Sequence, residues 1–270
     1  MSYPDIQFEI TEGVALITLD RPDARNAFSG PMGQSLGAAY TECDRNDDVR
    51  AIVLTGAGSD FCVGADFGDG GAVFDSQEES TFSAAGVDPP AFAIRKPVIA
   101  AVNGNAVGIG LTLPMQADIR IFAREGKYGF LHVRRGVLPD AYSHFTVPRA
   151  IGFAATADLF LTGRRFMGEE AGALGLASRV VPAAEVLSTA LEIARDIATN
   201  VAPLSAAVTK KLLWECGALD PATVERKETG LHHAVMGKPD ALEGVMAFLE
   251  RRAPDWKLSV SKDWPEKWPT

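Results

Sequence analysis

Val98-Ile99-Ala100-Ala101-Val102 runs into Asn103-Gly104-Asn105-Ala106-Val107-Gly108-Ile109-Gly110 and then into the apolar residues 111–116. Five consecutive apolar residues between Pro97 and Gly104 are what a strand buried on both faces requires. The residues after the glycines read as a helix, so the segment predicts strand, glycine-rich turn, helix. It is not a phosphate-gripping loop. It lacks a Lys-Ser/Thr ending, and Gly104, Gly108 and Gly110 miss the G-x-G-x-x-G spacing. The turn offers instead a helix N-terminus with free N–H groups beside permissive backbone, a place that stabilises negative charge on a ligand oxygen. Close helix–strand packing explains the same glycines equally well.

Outward from this segment the pattern repeats. Residues 6–10 and 14–19 alternate apolar and polar and are split by Glu12-Gly13, which reads as a hairpin. Residues 51–55 form another continuous apolar run, and 119–123 and 127–130 are further strand candidates. Helical patterns lie between them, the clearest over 32–43. Strand alternating with helix predicts an α/β layered core. After about residue 140 the strands are expected to stop. Pro139 suits the first turn of a helix running toward Ile151, which sets Asp140 and His144 four apart on one face. Further helices are expected over 154–161, 168–174, 184–199, 204–215, 221–235 and 241–252, with Pro203 and Pro221 near first turns and Asp220 as a cap. The division implied is a core over 1–200 and a helical region over 201–270. Residues 67–90, rich in Gly, Ser, Asp and Glu, read as a long loop.

Composition narrows the partners. The chain has 270 residues, 47% hydrophobic and 23% charged, enough for one large core. Its longest apolar runs are too short to cross a bilayer, and the N-terminus shows neither the basic start nor the apolar stretch of a signal peptide, so no membrane partner and a cytoplasmic location are expected. A net charge of −9 disfavours nucleic acid; Arg134-Arg135 is the one locally basic spot. Cys43, Cys62 and Cys216 lack metal-type spacing and read as reduced thiols, and His132, His144, His232 and His233 make no convincing metal set.

A second glycine turn, Phe61-Cys62-Val63-Gly64-Ala65-Asp66, follows the 51–55 strand, with Asp66 placed either to cap a helix or to meet a ligand. Other fragments fall in a recognisable order. Leu19-Asp20-Arg21-Pro22 runs into Arg25-Asn26-Ala27, and Val53-Leu54-Thr55-Gly56 precedes the second turn. Lys96-Pro97-Val98 leads to Asn103-Gly104, then come Ala117-Asp118-Ile119-Arg120, Leu161-Thr162-Gly163, Gly175-Leu176-Ala177 and Glu243-Gly244 through Phe248. In order and spacing the chain resembles the enoyl-CoA hydratase/isomerase (crotonase) family over nearly its whole length. The resemblance implies a crotonase (ClpP-like) α/β fold: repeated ββα units in a spiral core, with a C-terminal helical trimerisation region. It also implies an acyl-CoA thioester as partner, a homotrimer or dimer of trimers, and no cofactor beyond the coenzyme A of the substrate.

The resemblance assigns an oxyanion hole to the backbone N–H groups of Ala65 and Ile109, flanked by Gly64 and Gly108. Family members commonly have glycine at the position of Ile109, and a backbone N–H survives that change. Arg25 and Ala27 would lie along coenzyme A, with Arg25 near the phosphates, Asp66 beside the adenine and Phe248 over the nucleotide. The two glutamates that family hydratases use are replaced here by Thr112 and His132. A threonine hydroxyl is too weak an acid to serve as general base, whereas a histidine, with a pKa of about 6.5, is able to do so. Asp140 stands where family isomerases carry a carboxylate and a related dehalogenase carries its nucleophile, and His144 is placed to tune it. Double-bond isomerisation by Asp140 is therefore the favoured expectation. Hydration by Asp140 with His132 is the alternative, and a non-catalytic CoA-binding subunit is a third. Decarboxylation, C–C hydrolysis and dehalogenation also occur within the family.

Overall fold

The hairpin is present: β1 (Ile6–Thr11) and β2 (Val14–Leu19) pair antiparallel, from Ile6 opposite Leu19 to Thr11 opposite Val14. The computed structural model describes residues 3–68 and 83–269, so residues 69–82 of the expected loop lie outside the described residues. Helix α1 (Gly30–Arg45) starts at Ser29, whose Oγ accepts a hydrogen bond from the Met32 N–H, and returns the chain so that β3 (Ala51–Gly56) lies parallel to β2.

From β3 onward one manoeuvre recurs. A buried strand is followed within a few residues by a short one that leaves for a second sheet: β3 by β4 (Asp60–Cys62), β5 (Val98–Val102) by β6 (Asn105–Val107), and β7 (Ile119–Ala123) by β8 (Lys127–Gly129). Helix α2 (Ile109–Thr112) sits between β6 and β7. The final round is reversed, with α3 (Ser143–Thr162), β9 (Phe166–Met167), α4 (Gly168–Leu174) and β10 (Arg179–Val181). The result is a six-stranded sheet of order β1-β2-β3-β5-β7-β10 and a four-stranded sheet of order β4-β6-β8-β9. This is the expected spiral of ββα repeats.

The central strands β3 and β5 are buried at every residue, as their continuous apolar runs predict, while the edge strands β1 and β10 are partly exposed. Ile17, Leu19, Ile52, Leu54, Ala100 and Val102 face one core. The alternate residues Val14, Ala51, Val53, Ile99, Ala101 and Ile121 face Val186, Ala190 and Ala194 of α5 (Val186–Asn200). Alanines on both sides let that helix lie close. Beyond it come α6 (Pro203–Cys216), α7 (Pro221–Val235), α8 (Pro239–Glu250) and α9 (Val260–Asp263). Helix α6 is tied down by Lys210. Its buried ammonium lies 2.8 Å from Asp118 and donates to the carbonyls of Ala91 and Lys96, and burial pulls its pKa down. Among the described residues, no helix is long and apolar enough to cross a membrane.

Four expectations are corrected. Strands do not stop at residue 140, because β9 and β10 complete the two sheets. The helix expected from Pro139 starts at Ser143, after two left-handed residues, and the non-helical Gly152 (φ 75°, ψ 168°) then breaks α3 between the two helices expected there, one toward Ile151 and one over 154–161. The helix expected over 111–116 is the single turn α2 followed by a 3-10 turn (Pro114–Gln116), since Pro114 removes an N–H. Asp66 caps no helix; its Oδ1 accepts from the Gly68 N–H in a local turn.

Candidate active site

The two glycine turns lie side by side because β4 and β6 are parallel neighbours, with Asp60 opposite Asn105 and Cys62 opposite Ala106. Beyond β4, Phe28 bridges to the chain: its N–H donates to Gly64 O, and the Asp66 N–H donates to Phe28 O. In extended backbone, successive groups point to opposite sides, so the Ala65 N–H faces away from this bridge. Beyond β6, Gly108 takes φ 57° and ψ −133°, a region reserved for glycine. Ile109 then opens α2 with the unpaired N–H of a first helical turn. The left-handed φ falls on Gly108, so Ile109 is accommodated without strain, its Cδ1 against Gly86. A Cβ on Gly110 would stand 2.1 Å from Cys62 O, which shows how tightly α2 seats on β4. Neither the Ala65 nor the Ile109 N–H has an acceptor among the described residues. Both residues line one cavity of about 1120 Å³, together with Gly64, Gly108, His132 and Asp140.

Asp140 lies on the cavity wall, 28% exposed. Its Oδ1 accepts a hydrogen bond from Thr112 Oγ1 at 2.7 Å. His132 Nε2 stands 3.3 Å from the same oxygen without forming a hydrogen bond; the ring is only 8% exposed, and its Nδ1 also has no partner. Asp140 Oδ2 is unpartnered among the described residues. Thr112, His132 and Asp140 come from three separate segments, and the spiral brings them together beside the two N–H donors. A pair of free donors facing a cavity with one carboxylate can stabilise an anionic oxygen while a proton is moved nearby.

A family model described as enoyl-CoA hydratase/isomerase matches residues 9–259. The chain belongs to this family. Enoyl-CoA hydratase ACTT3 of Alternaria alternata is 38% identical over 247 residues, covering 90% of this chain and 82% of the relative. The crystal structure of a probable enoyl-CoA hydratase/isomerase from Mycobacterium abscessus superposes with a TM-score of 0.91 at 49% identity, over 93% of this chain and 98% of that one. That of an enoyl-CoA hydratase from Mycobacterium tuberculosis H37Rv gives 0.84 at 30% identity, over 94% and 99%. The fold is the crotonase fold, and the chain is an enoyl-CoA hydratase/isomerase-family enzyme acting on acyl-CoA thioesters.

The other residues expected to serve this crotonase site are dispersed. Arg25 reaches the cavity edge, 58% exposed, but its guanidinium already makes two hydrogen bonds to Asp60, at 2.9 and 3.0 Å. That pairing, joined by the Asn105 amide, holds the buried Asp60 carboxyl below the usual carboxylate range. Ala27 gives its carbonyl to Arg21, and Asp66 forms an ion pair with Arg21 at 2.7 Å; neither is among the residues lining the cavity. His144 is exposed, its ring edge-on to Phe160, and Phe248 is 82% exposed on α8; neither lines the cavity of this chain. His144 does not share a helical face with Asp140, because Asp140 precedes the helix.

Lys127, Arg135 and Arg165 also line the cavity and were not foreseen as site residues. With Arg25 they give it a cationic lining in which Asp140 is the one carboxylate among the described residues. Arg135 belonged to the one basic spot visible in the sequence, whereas Lys127 and Arg165 are remote from each other along the chain. Cys43 and Cys62 are free thiols pushed up to about 12 by burial. Among the described residues no group of three His, Cys, Asp or Glu side chains is placed to hold a metal.

Proposed function

We propose that the enzyme moves the double bond of enoyl-CoA thioesters, converting 3-enoyl-CoA to the conjugated 2-enoyl-CoA. The thioester oxygen would lie between the N–H groups of Ala65 and Ile109. Removal of an α-proton pushes electrons onto that oxygen, and donors already aimed at it stabilise the dienolate without reorganising. Asp140 takes the α-proton and returns it to the γ-carbon, two atoms away. One carboxylate serves both steps because the proton is conserved. The observation that carries this reading is the asymmetry of Asp140: Thr112 anchors Oδ1, while Oδ2 has no partner at the wall of the same cavity. The cationic lining supports acyl-CoA as the occupant. Arg25, Lys127, Arg135 and Arg165 would meet the phosphates of coenzyme A despite the acidic chain as a whole.

A second reading is hydration of 2-enoyl-CoA, with Asp140 and His132 as the acid–base pair. It is favoured by the 3.3 Å approach of His132 Nε2 to Asp140, and by relatives that carry the name enoyl-CoA hydratase. Here a water on the cavity side, held beside both side chains, would add across the conjugated bond.

Mixing the protein with 3-hexenoyl-CoA and, separately, with 2-hexenoyl-CoA decides between them through the absorbance of the conjugated thioester. Isomerisation predicts rising absorbance from the 3-enoyl substrate, lost by about 10²–10⁴-fold in Asp140→Asn. Falling absorbance from the 2-enoyl substrate alone, with hydroxyacyl-CoA formed, would replace this reading by hydration. Tight thioester binding without turnover of either would leave only a binding role.

A further inference from the structure

Asp140 is carried by backbone that would not hold its shape alone. The next two residues, Ala141 (φ 49°) and Tyr142 (φ 61°), both adopt the left-handed conformation, and neither is glycine or asparagine. Ala141 is fully buried, and its methyl group has no polar handle. Its two peptide groups are held from outside. The N–H donates to Ala84 O at 2.7 Å, and the carbonyl accepts from Gln116 Nε2 at 3.0 Å. Gln116 is itself 1% exposed, and its Oε1 accepts from the Ala91 N–H at 3.2 Å. Both ends of the amide are therefore engaged with backbone, one of them at the residue next to Asp140.

The same short segment begins at Ile109, whose N–H is one of the two free donors. It passes through Thr112, which bonds the Asp140 carboxylate, and ends at Gln116, which bonds the backbone following Asp140. We propose that Gln116 is a positioning residue that fixes the distance between the Asp140 carboxylate and the paired N–H donors. Thr112 orients the carboxylate head, and Gln116 holds the main chain on which it stands. The proposal rests on Asp140 as the proton-transfer group.

The test measures steady-state kinetics on 3-hexenoyl-CoA for wild type, Asp140→Asn, Gln116→Leu and Gln116→Glu. Gln116→Leu keeps the volume but cannot donate to Ala141. Its kcat is expected to fall about 10²-fold, with KM unchanged. Amide exchange at Ala141 and Ser143 should quicken. Gln116→Glu tests the role without changing shape. When protonated, the carboxyl still accepts from Ala91 and donates to Ala141. When ionised, it presents an oxygen to the Ala141 carbonyl and repels it. The ratio of its kcat to that of wild type should therefore start near one at low pH and fall as pH rises. A merely structural role would move the melting temperature of Gln116→Glu with pH and leave that kcat ratio flat. A flat ratio, or an unchanged kcat in a folded Gln116→Leu beside an inactive Asp140→Asn, overturns the proposal alone. Turnover that survives in Asp140→Asn, or a wild type inert on 3-hexenoyl-CoA, overturns the Asp140 reading and the positioning role together.

Discussion

At Asp140 the two carboxylate oxygens are unequal, and Thr112 makes them so. Replacing Thr112 by valine frees Oδ1 to rotate, and kcat is expected to drop about tenfold, with Thr112→Ser retaining most of it. The comparison of the three rates on one substrate checks this. The resemblance in the sequence was enough to single out Thr112 and His132, as the residues expected in place of the two hydratase glutamates. That the threonine hydroxyl donates to Asp140 was not, because the contact joins residues 28 apart and follows from the path of the chain between them. The expected partnership of Asp140 with His144 failed for a local reason. It assumed that Pro139 opens a helix, and nothing in Ala141-Tyr142 marks two left-handed residues that delay it to Ser143.

Among the elements, the turn at Gly108 governs the site. A side chain there has to adopt φ 57°, ψ −133°, which costs about 1–3 kcal/mol, so Gly108→Ala should lower stability by that amount in denaturant unfolding and abolish turnover by displacing the Ile109 N–H. The strand pair beneath this turn carries a pH signature. The Arg25 hydrogen bonds hold the Asp60 carboxyl below its ordinary range, so Asp60 contributes stability that is complete above about pH 4 and is lost as pH falls through its folded value. A melting-temperature series from neutral to acid pH should therefore decline less steeply below pH 4 in Asp60→Asn than in wild type. In the large sheet β3 and β5 were readable from their unbroken apolar runs, and β1 and β2 from alternation about Glu12-Gly13. Strands β4 and β6, three residues each, were not, since so few positions establish no period. They are nonetheless the strands that deliver the two donors.

At the scale of the molecule, Leu242, Phe248 and Leu249 on α8 and Phe153 and Leu161 on α3 are large apolar side chains left in water by a single chain. Burial between copies would relieve this exposure. Sedimentation equilibrium is expected to give a trimer or a multiple of it, and Phe248→Asp a smaller species. On the proposed mechanism the catalytic equipment also divides into two kinds of part. The Ala65 and Ile109 donors belong to the main chain, and an amide hydrogen is deleted only by substitution to proline. The reagents at 112, 132 and 140 are side chains, replaceable one at a time without touching the amides. On the proposed mechanism the reaction could thus be rewritten by editing three letters, while the apparatus that would grip the thioester oxygen is spelled by the course of the backbone and would pass through those edits unchanged.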